Sequence, residues 1–455
     1  MSIALIDDKS VRKAYEADAS GLQLIPEFVA RPGSIEEVVE LMRRATADRI
    51  AVTCAGAQTS TTGASITDSG ILLSLRSLDS VSTVDAKAKT MRVGPGALVG
   101  DIKRTAAAAG LLFAPDPTSE EESTIGGAIA CNASGARTLK YGATRQHVQS
   151  LKVVMANGDL REFRRSNLEK NTVGYAFAHD PIDWFIGSEG TLGVIVEAEL
   201  SLLPLPTHVV GLAVFIGTEE EALKFVVAAR ESRTVAPRCL EYFDQRAIAI
   251  ARSEASGAAI PRDSATMVYV EEEISGDLDS TLENWSVLIE SVASQFEPVV
   301  FDGEARLREA RRMRHSIPST MNERGSRYQD AGGRKVSTDW AVPYARLVEA
   351  IQNARSIANT YRIPEPVIYG HAGNGHPHQN FVARDRDELA TIERAVEETL
   401  RNVIALGGTV AAEHGIGKIK RRWLPLQMTA LQIAMMGAVK RELDPQGLLA
   451  PGNIL

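Results

Sequence analysis

Cysteine is nearly absent: Cys54, Cys131 and Cys239 are the only three in 455 residues, far apart and without CxxC spacing. They supply neither a disulfide framework nor a structural zinc ribbon, so a reducing compartment is expected. Long apolar runs are missing too. The longest strongly apolar segment, Val209 to Gly217, is nine residues, about half of a membrane-crossing helix. The N-terminus MSIALIDDKS is acidic by Asp7, and no recognisable export signal is expected there. The chain therefore reads as soluble and cytoplasmic, with no transmembrane segment and only peripheral contact with the inner membrane left open. Basic residues are not in excess: 50 Lys and Arg against 58 Asp and Glu give a net charge of −8, and the one short basic cluster is Arg306 to Arg314. Nucleic acid is disfavoured as a partner.

What is present is an ordinary globular balance, 44% hydrophobic and 24% charged, in a chain long enough for two or three domains. Ser34 followed by Glu37 forms a capping box ahead of Ile35, Val38, Val39 and Met42, which predicts a helix over 34–45. Strands are predicted at 50–53, 71–75 and 90–93, and a helix over 98–109 closed by Gly110. Strands resume at 151–155 and 191–203, with a turn at Asn157-Gly158. A second α/β unit is predicted from Val209, with strands at 209–216, 267–271 and 366–369 and helices over 344–360 and 385–406. The expected division is 1–206, 207–420 and a terminal segment 421–455.

Three loops carry the chemistry. Gly56-Ala57-Gln58-Thr59-Ser60-Thr61-Thr62-Gly63 follows a strand and gathers small residues and hydroxyls, so that backbone N–H groups can converge on a pyrophosphate. It lacks the Gly-Lys-Ser/Thr of a Walker A loop. Gly94-Pro95-Gly96-Ala97-Leu98-Val99-Gly100 has proline in the second position and one extra residue before the last glycine of GxGxxG, and reads as a strand-to-helix turn, not a Rossmann site. The cluster from Gly370 to Asn380 places His371, His376 and His378 among glycines, which predicts a divalent metal site. A second cluster, Glu413-His414-Gly415-Ile416-Gly417, follows a predicted strand at 409–411; an extended backbone there would point Glu413 and His414 in opposite directions.

In combination these motifs resemble the FAD-linked oxidases of the vanillyl-alcohol oxidase superfamily, in the D-2-hydroxyacid dehydrogenase branch. The resemblance runs from about Pro32 to the C-terminus through ArgProGly at 31–33, the loop at 56–63, ProAspProThrSer at 115–119, ThrIleGlyGly at 124–127 and AsnAlaSerGly at 132–135. It continues through LysTyrGlyAlaThrArg at 140–145, GlySerGluGlyThrLeuGly at 187–193, the histidine cluster, GluHisGlyIleGly at 413–417 and AspProGlnGlyLeuLeuAlaProGly at 444–452. It implies an α+β protein: a two-subdomain FAD-binding domain to which the last residues return, and an α+β cap domain. Gly56, Ala57, Gln58, Thr59 and Ser60 would hold the pyrophosphate. Pro117, Thr118, Gly126, Gly127, Ser134, Gly135, Tyr141, Gly142 and Ile195 would complete the FAD site. With neither His nor Cys in 55–64, the flavin is expected to be non-covalent.

The same resemblance implies Zn or Mn held by His371, His378 and Glu413, although the family pattern GlyHisXaaGlyAspGlyAsnXaaHis here carries Asn374 for the acid and His376 for the Asn. The implied reaction oxidises a small 2-hydroxy acid to its 2-oxo acid, the metal acidifying the hydroxyl, His414 accepting its proton, Arg314 clamping the carboxylate and hydride passing to FAD. Ser337-Thr338-Asp339 ahead of Val342-Pro343 resembles the lactate-type segment and makes D-lactate the first expectation. The electron acceptor would be a quinone, a cytochrome or an electron-transfer protein, and the oligomeric state is left open. The alternatives on the same fold are an alkylglycerone-phosphate-synthase-like transferase and a non-catalytic flavoprotein subunit.

Overall fold

A computed structural model describes residues 3–254, 260–292 and 296–455. The chain divides into two compact units. The first runs to Ser134, resumes over Gly142–Leu205 and again over Glu413–Leu455; the second comprises Gly135–Tyr141 and Pro206–Ala412.

In the first unit, helix Ile35–Asp48 turns Val38, Leu41, Met42 and Ala45 inward onto a parallel three-stranded sheet in which Ile71–Ser74 lies between Phe28–Ala30 and Val52–Ala55. The Ser34 hydroxyl accepts from Glu37 N, as predicted, but the Glu37 carboxylate accepts from Gly33 N at 2.7 Å, so the cap reaches back one residue further than a capping box. The C-terminal segment returns to this sheet: Val52 N donates to Leu448 O and Ala450 N to Val52 O, both at 2.8 Å. An antiparallel four-stranded sheet, ordered Thr90–Val93, Val194–Ser201, Val148–Val154, Leu160–Arg164, builds a second core under helices Val99–Ala108 and Ile125–Cys131. A Cβ on Gly94 would stand 2.1 Å from Leu78 O and one on Gly96 2.5 Å from Arg76 O. Those glycines serve the turn between strand and helix, as read from the sequence.

The second unit is built on an antiparallel seven-stranded sheet in the order Val299–Asp302, Val209–Ile216, Thr266–Glu273, Pro237–Phe243, Val367–His371, His376–Asp385, Gly332–Ser337. Helices Gln245–Glu254 and Glu304–Ser326 pack on it, and their apolar faces, with Phe215, Phe243 and Tyr369 from the sheet, form one core. Helices packed on an antiparallel sheet make this an α+β unit. The strand expected at 409–411 is not formed; Thr409 makes an isolated bridge to Ala341, and the chain bends from Ala412 to His414. Among the described residues no helix is long and apolar enough to cross a membrane.

Candidate active site

The histidine cluster is a hairpin, not a loop. Strand Val367–His371 ends on its first histidine, residues Ala372–Asn374 turn, and strand His376–Asp385 begins on its second. The register sets His371 opposite His376 and Tyr369 opposite His378. Since alternate residues of a strand share a face, His371, His376 and His378 all project from the same side of the sheet. Their ring centroids are 5.3, 5.3 and 4.7 Å apart, edge to face, and each offers a nitrogen within 4.8 Å of the others. All three are buried. Two glycines make this possible. Gly370, at φ 134°, lets the His378 ring close over it, for a Cβ there would stand 2.9 Å from His378 Cδ2; Gly375, at φ 67°, passes so near Val342 O that a Cβ would come within 1.9 Å.

Two buried carboxylates orient the rings. Strand Pro237–Phe243 pairs with Val367–His371 so that Tyr242 faces Gly370, which puts Glu241 beside His371. Glu241 Oε1 lies 2.6 Å from His371 Nδ1, and its Oε2 forms an ion pair with Arg314 Nε at 2.6 Å. Burial alone would raise the Glu241 carboxyl; Arg314 and His371 outweigh it and hold the group below its ordinary range. Arg314 rides on helix Glu304–Ser326, four residues before Pro318, which has no N–H to give the Arg314 carbonyl. Arg314 Nη2 is 3.4 Å from His371 Nδ1. On the other side, Asp339 Oδ1 lies 3.0 Å from His376 Nε2. The segment carrying Asp339 is tied to the hairpin by Thr338 N to Gln379 O and Gln379 N to Thr338 Oγ1. Sequence reasoning missed Glu241, whose partner is 130 residues away, and read Asp339 only as a substrate signature. A cation fits the donor set of this cluster: three converging imidazole nitrogens with buried carboxylates beside the rings are usual surroundings of a metal-bound histidine.

In the first unit, Gly56, Ala57, Gln58, Thr59 and Ser60 leave the end of strand Val52–Ala55. Gly56 abuts Thr124, the N-cap of Ile125–Cys131; a Cβ would meet Thr124 Oγ1 at 2.1 Å. Gln58 occupies the left-handed region, φ 56°, where glycine is favoured, and its Nε2 donates to Tyr15 O at 3.0 Å. Gly126 packs on Pro95, which a Cβ would meet at 2.6 Å, so protein packing demands that glycine; Gly127 has only Thr124 Oγ1 at 3.4 Å. Pro117 and Thr118 lie in the loop after Phe113, Ser134 is buried, and Ile195 is buried on strand Val194–Ser201. Gly142, at φ 79°, belongs to this unit, while Gly135 and Tyr141 bound the short segment assigned to the second.

Glu413 and His414 also belong to the first unit. Their side chains do not diverge: His414 Nε2 lies 3.8 Å from Glu413 Oε1, because the backbone bends there where extension was expected. The residues that follow are held by Glu189, whose buried carboxylate accepts from Ile416 N at 2.6 Å and Gly417 N at 2.8 Å. Lys418 N donates to Thr62 O at 2.9 Å, so the His414 loop is fastened to the loop that begins at Gly56.

Residues 205–454 match the family described as FAD linked oxidases, C-terminal domain, and residues 26–164 match the FAD binding domain. The chain belongs to the FAD-linked oxidases. Among curated relatives of this FAD-linked oxidase are the glycolate oxidase subunit GlcD of Bacillus subtilis, 30% identical over 98% of this chain and 93% of its own, and the D-2-hydroxyglutarate dehydrogenase of Xanthomonas citri pv. viticola, 31% identical over 94% and 89%. The D-lactate dehydrogenase of Archaeoglobus fulgidus is 29% identical over 94% and 91%. A solved alkyldihydroxyacetonephosphate synthase superposes with a TM-score of 0.74, covering 98% of this chain and 82% of its own at 18% identity, which shows a shared fold. The FAD-linked oxidase thus has the FAD-binding domain of the vanillyl-alcohol oxidase type, as its motifs implied.

Proposed function

We propose that this FAD-linked oxidoreductase oxidises a small D-2-hydroxy acid to the 2-oxo acid, with D-lactate as the first substrate. The observation that carries the reading is the buried set of three imidazoles with a guanidinium at its edge, a constellation suited to an anionic, oxygen-rich substrate on a cation. When bound, FAD supplies the two-electron acceptor and a Zn or Mn ion supplies a Lewis acid toward a hydroxyl, with water as the reference case falling from about 15.7 to about 7. His371 and His378 are the imidazole ligands in this reading, and Glu413 keeps its role as carboxylate ligand. Arg314 orients the substrate carboxylate, since a planar guanidinium has five donors and matches a carboxylate in a way an ammonium does not. His414 receives the hydroxyl proton at its imidazole. The three named relatives act on glycolate, D-2-hydroxyglutarate and D-lactate; the choice of lactate rests on Ser337-Thr338-Asp339.

Anaerobic addition of single 2-hydroxy acids to the holoprotein tests this directly. D-Lactate should bleach the flavin faster than glycolate or D-2-hydroxyglutarate, and L-lactate should not; a flavin that none of them bleaches favours the transferase or a non-catalytic subunit. Chelation should stop bleaching by D-lactate while leaving the oxidised spectrum in place. Acid precipitation should release the yellow chromophore, and a yellow pellet would show a covalent bond.

A further inference from the structure

We propose that His376 is a third imidazole ligand of the divalent cation, so that this chain presents a three-histidine site built on a single hairpin and prefers Zn²⁺ or Co²⁺ to Mn²⁺. The inference rests on the cation in the reading above and concerns which of this chain's residues hold it. The first argument is register. His371 and His376 are a directly opposed pair and His378 follows His376 by two, so the backbone alone delivers three rings to one point. Nitrogens within 4.8 Å need only ring tilts to reach the separation of about 3.3 Å set by tetrahedral Zn–N bonds near 2.0–2.1 Å.

The second argument is the tautomer. A ring whose one nitrogen faces a carboxylate presents its lone pair on the other. His371 faces Glu241 through Nδ1, which makes Nε2 the ligand nitrogen. His376 Nε2 lies 3.0 Å from Asp339 Oδ1, so a buried carboxylate stands beside this ring too. Glu241 and Asp339 are 1% and 0% exposed on their side chains, and buried carboxylates beside imidazoles favour a cation among the rings. The turn itself contributes no acid: its outermost residue is the exposed Asn374. Three imidazoles are a nitrogen-rich set, and such a set favours zinc or cobalt over the oxygen-preferring manganese and magnesium.

The experiment uses FAD-loaded protein freed of metal and reloaded with Zn²⁺, Co²⁺ or Mn²⁺ alone. X-ray absorption of the Zn²⁺ form of the unaltered protein should show three imidazoles; two would overturn the proposal without any variant. Against a chromophoric chelator, His376→Asn should bind Zn²⁺ at least ten-fold more weakly while its Mn²⁺ affinity changes less than three-fold, and its Co²⁺ ligand-field spectrum should shift. Asp339→Asn should weaken Zn²⁺ by about ten-fold through the loss of ring orientation. Unchanged Zn²⁺ affinity and an unchanged Co²⁺ spectrum in His376→Asn, with affinity lost in His371→Ala, would leave the cation in place and remove His376 from it. Failure of the unaltered protein to bind any of the three ions would overturn both this inference and the cation assignment beneath it.

Discussion

Arg314 and Glu241 form a pair whose members explain each other. A carboxylate that is 1% exposed needs a permanent positive charge, and the guanidinium needs a fixed orientation to receive an anion edge-on. Arg314→Lys keeps the charge and loses the fork. We expect kcat/KM for D-lactate to fall ten-fold or more, about 1.4 kcal/mol or above, with FAD content unchanged; an unchanged kcat/KM with a lower melting temperature would make Arg314 only the counter-ion of Glu241. His414→Ala should keep FAD and metal and slow flavin reduction in single turnover by roughly 100-fold, and a near-normal rate would give the proton another route. Both residues, and the histidines, stand out in the sequence because each sits in a compact local motif. Glu241 and Asp339 do not. Their partners come from other strands, and nothing local in Leu240-Glu241-Tyr242 distinguishes a buried carboxylate facing His371 from an exposed one.

At the level of elements, period and punctuation predicted strands at 90–93 and 209–216 with their observed bounds, and the helix from Ser34 with its cap. Failure came where tertiary contacts decide the backbone. Thr409 to Ala411 has strand-like residues, yet only Thr409 bridges, and the chain then bends into a segment shaped by Glu189. Glu189 is itself left-handed, φ 52°, and a Cβ on Gly415 would stand 2.4 Å from its Oε1. A non-glycine residue in that region persists only when its surroundings hold it. Two N–H groups donating to one buried carboxylate do so here. Glu189→Ala would strand both donors, at about 1–3 kcal/mol each, and release the backbone next to His414. We expect a lower melting temperature and flavin reduction slowed at least ten-fold, with partial recovery in Glu189→Gln, whose amide oxygen can still accept. Wild-type reduction in Glu189→Ala would show that the Thr62 contact alone fixes the loop.

For the molecule as a whole, acid stability rests on how the second unit closes its buried charges. Glu271 lies in strand Thr266–Glu273 with its side chain 3% exposed. It accepts from Arg238 Nε at 2.8 Å and Nη2 at 2.7 Å, from Arg137 Nε at 3.2 Å and from the Tyr269 hydroxyl at 3.0 Å. Burial by itself would raise the carboxyl, but Arg137, Arg238 and Arg311 outweigh it and depress it strongly below its ordinary 4.5. The unfolded chain therefore binds the proton first as pH falls. The contribution of this ion cluster is fully present above about pH 4.5 and is lost progressively below it, as the native state must either protonate Glu271 or unfold. Glu271→Gln removes the charge while leaving Arg137 and Arg238 buried against a neutral amide, a loss of about 3–5 kcal/mol near neutrality. Its melting temperature should lie well below that of the unaltered protein at pH 7, and the gap should narrow as pH drops from 4.5 toward 3. A gap that stays constant over that interval would mean that other carboxylates set the acid limit and that Glu271 is already protonated or solvated in the folded protein.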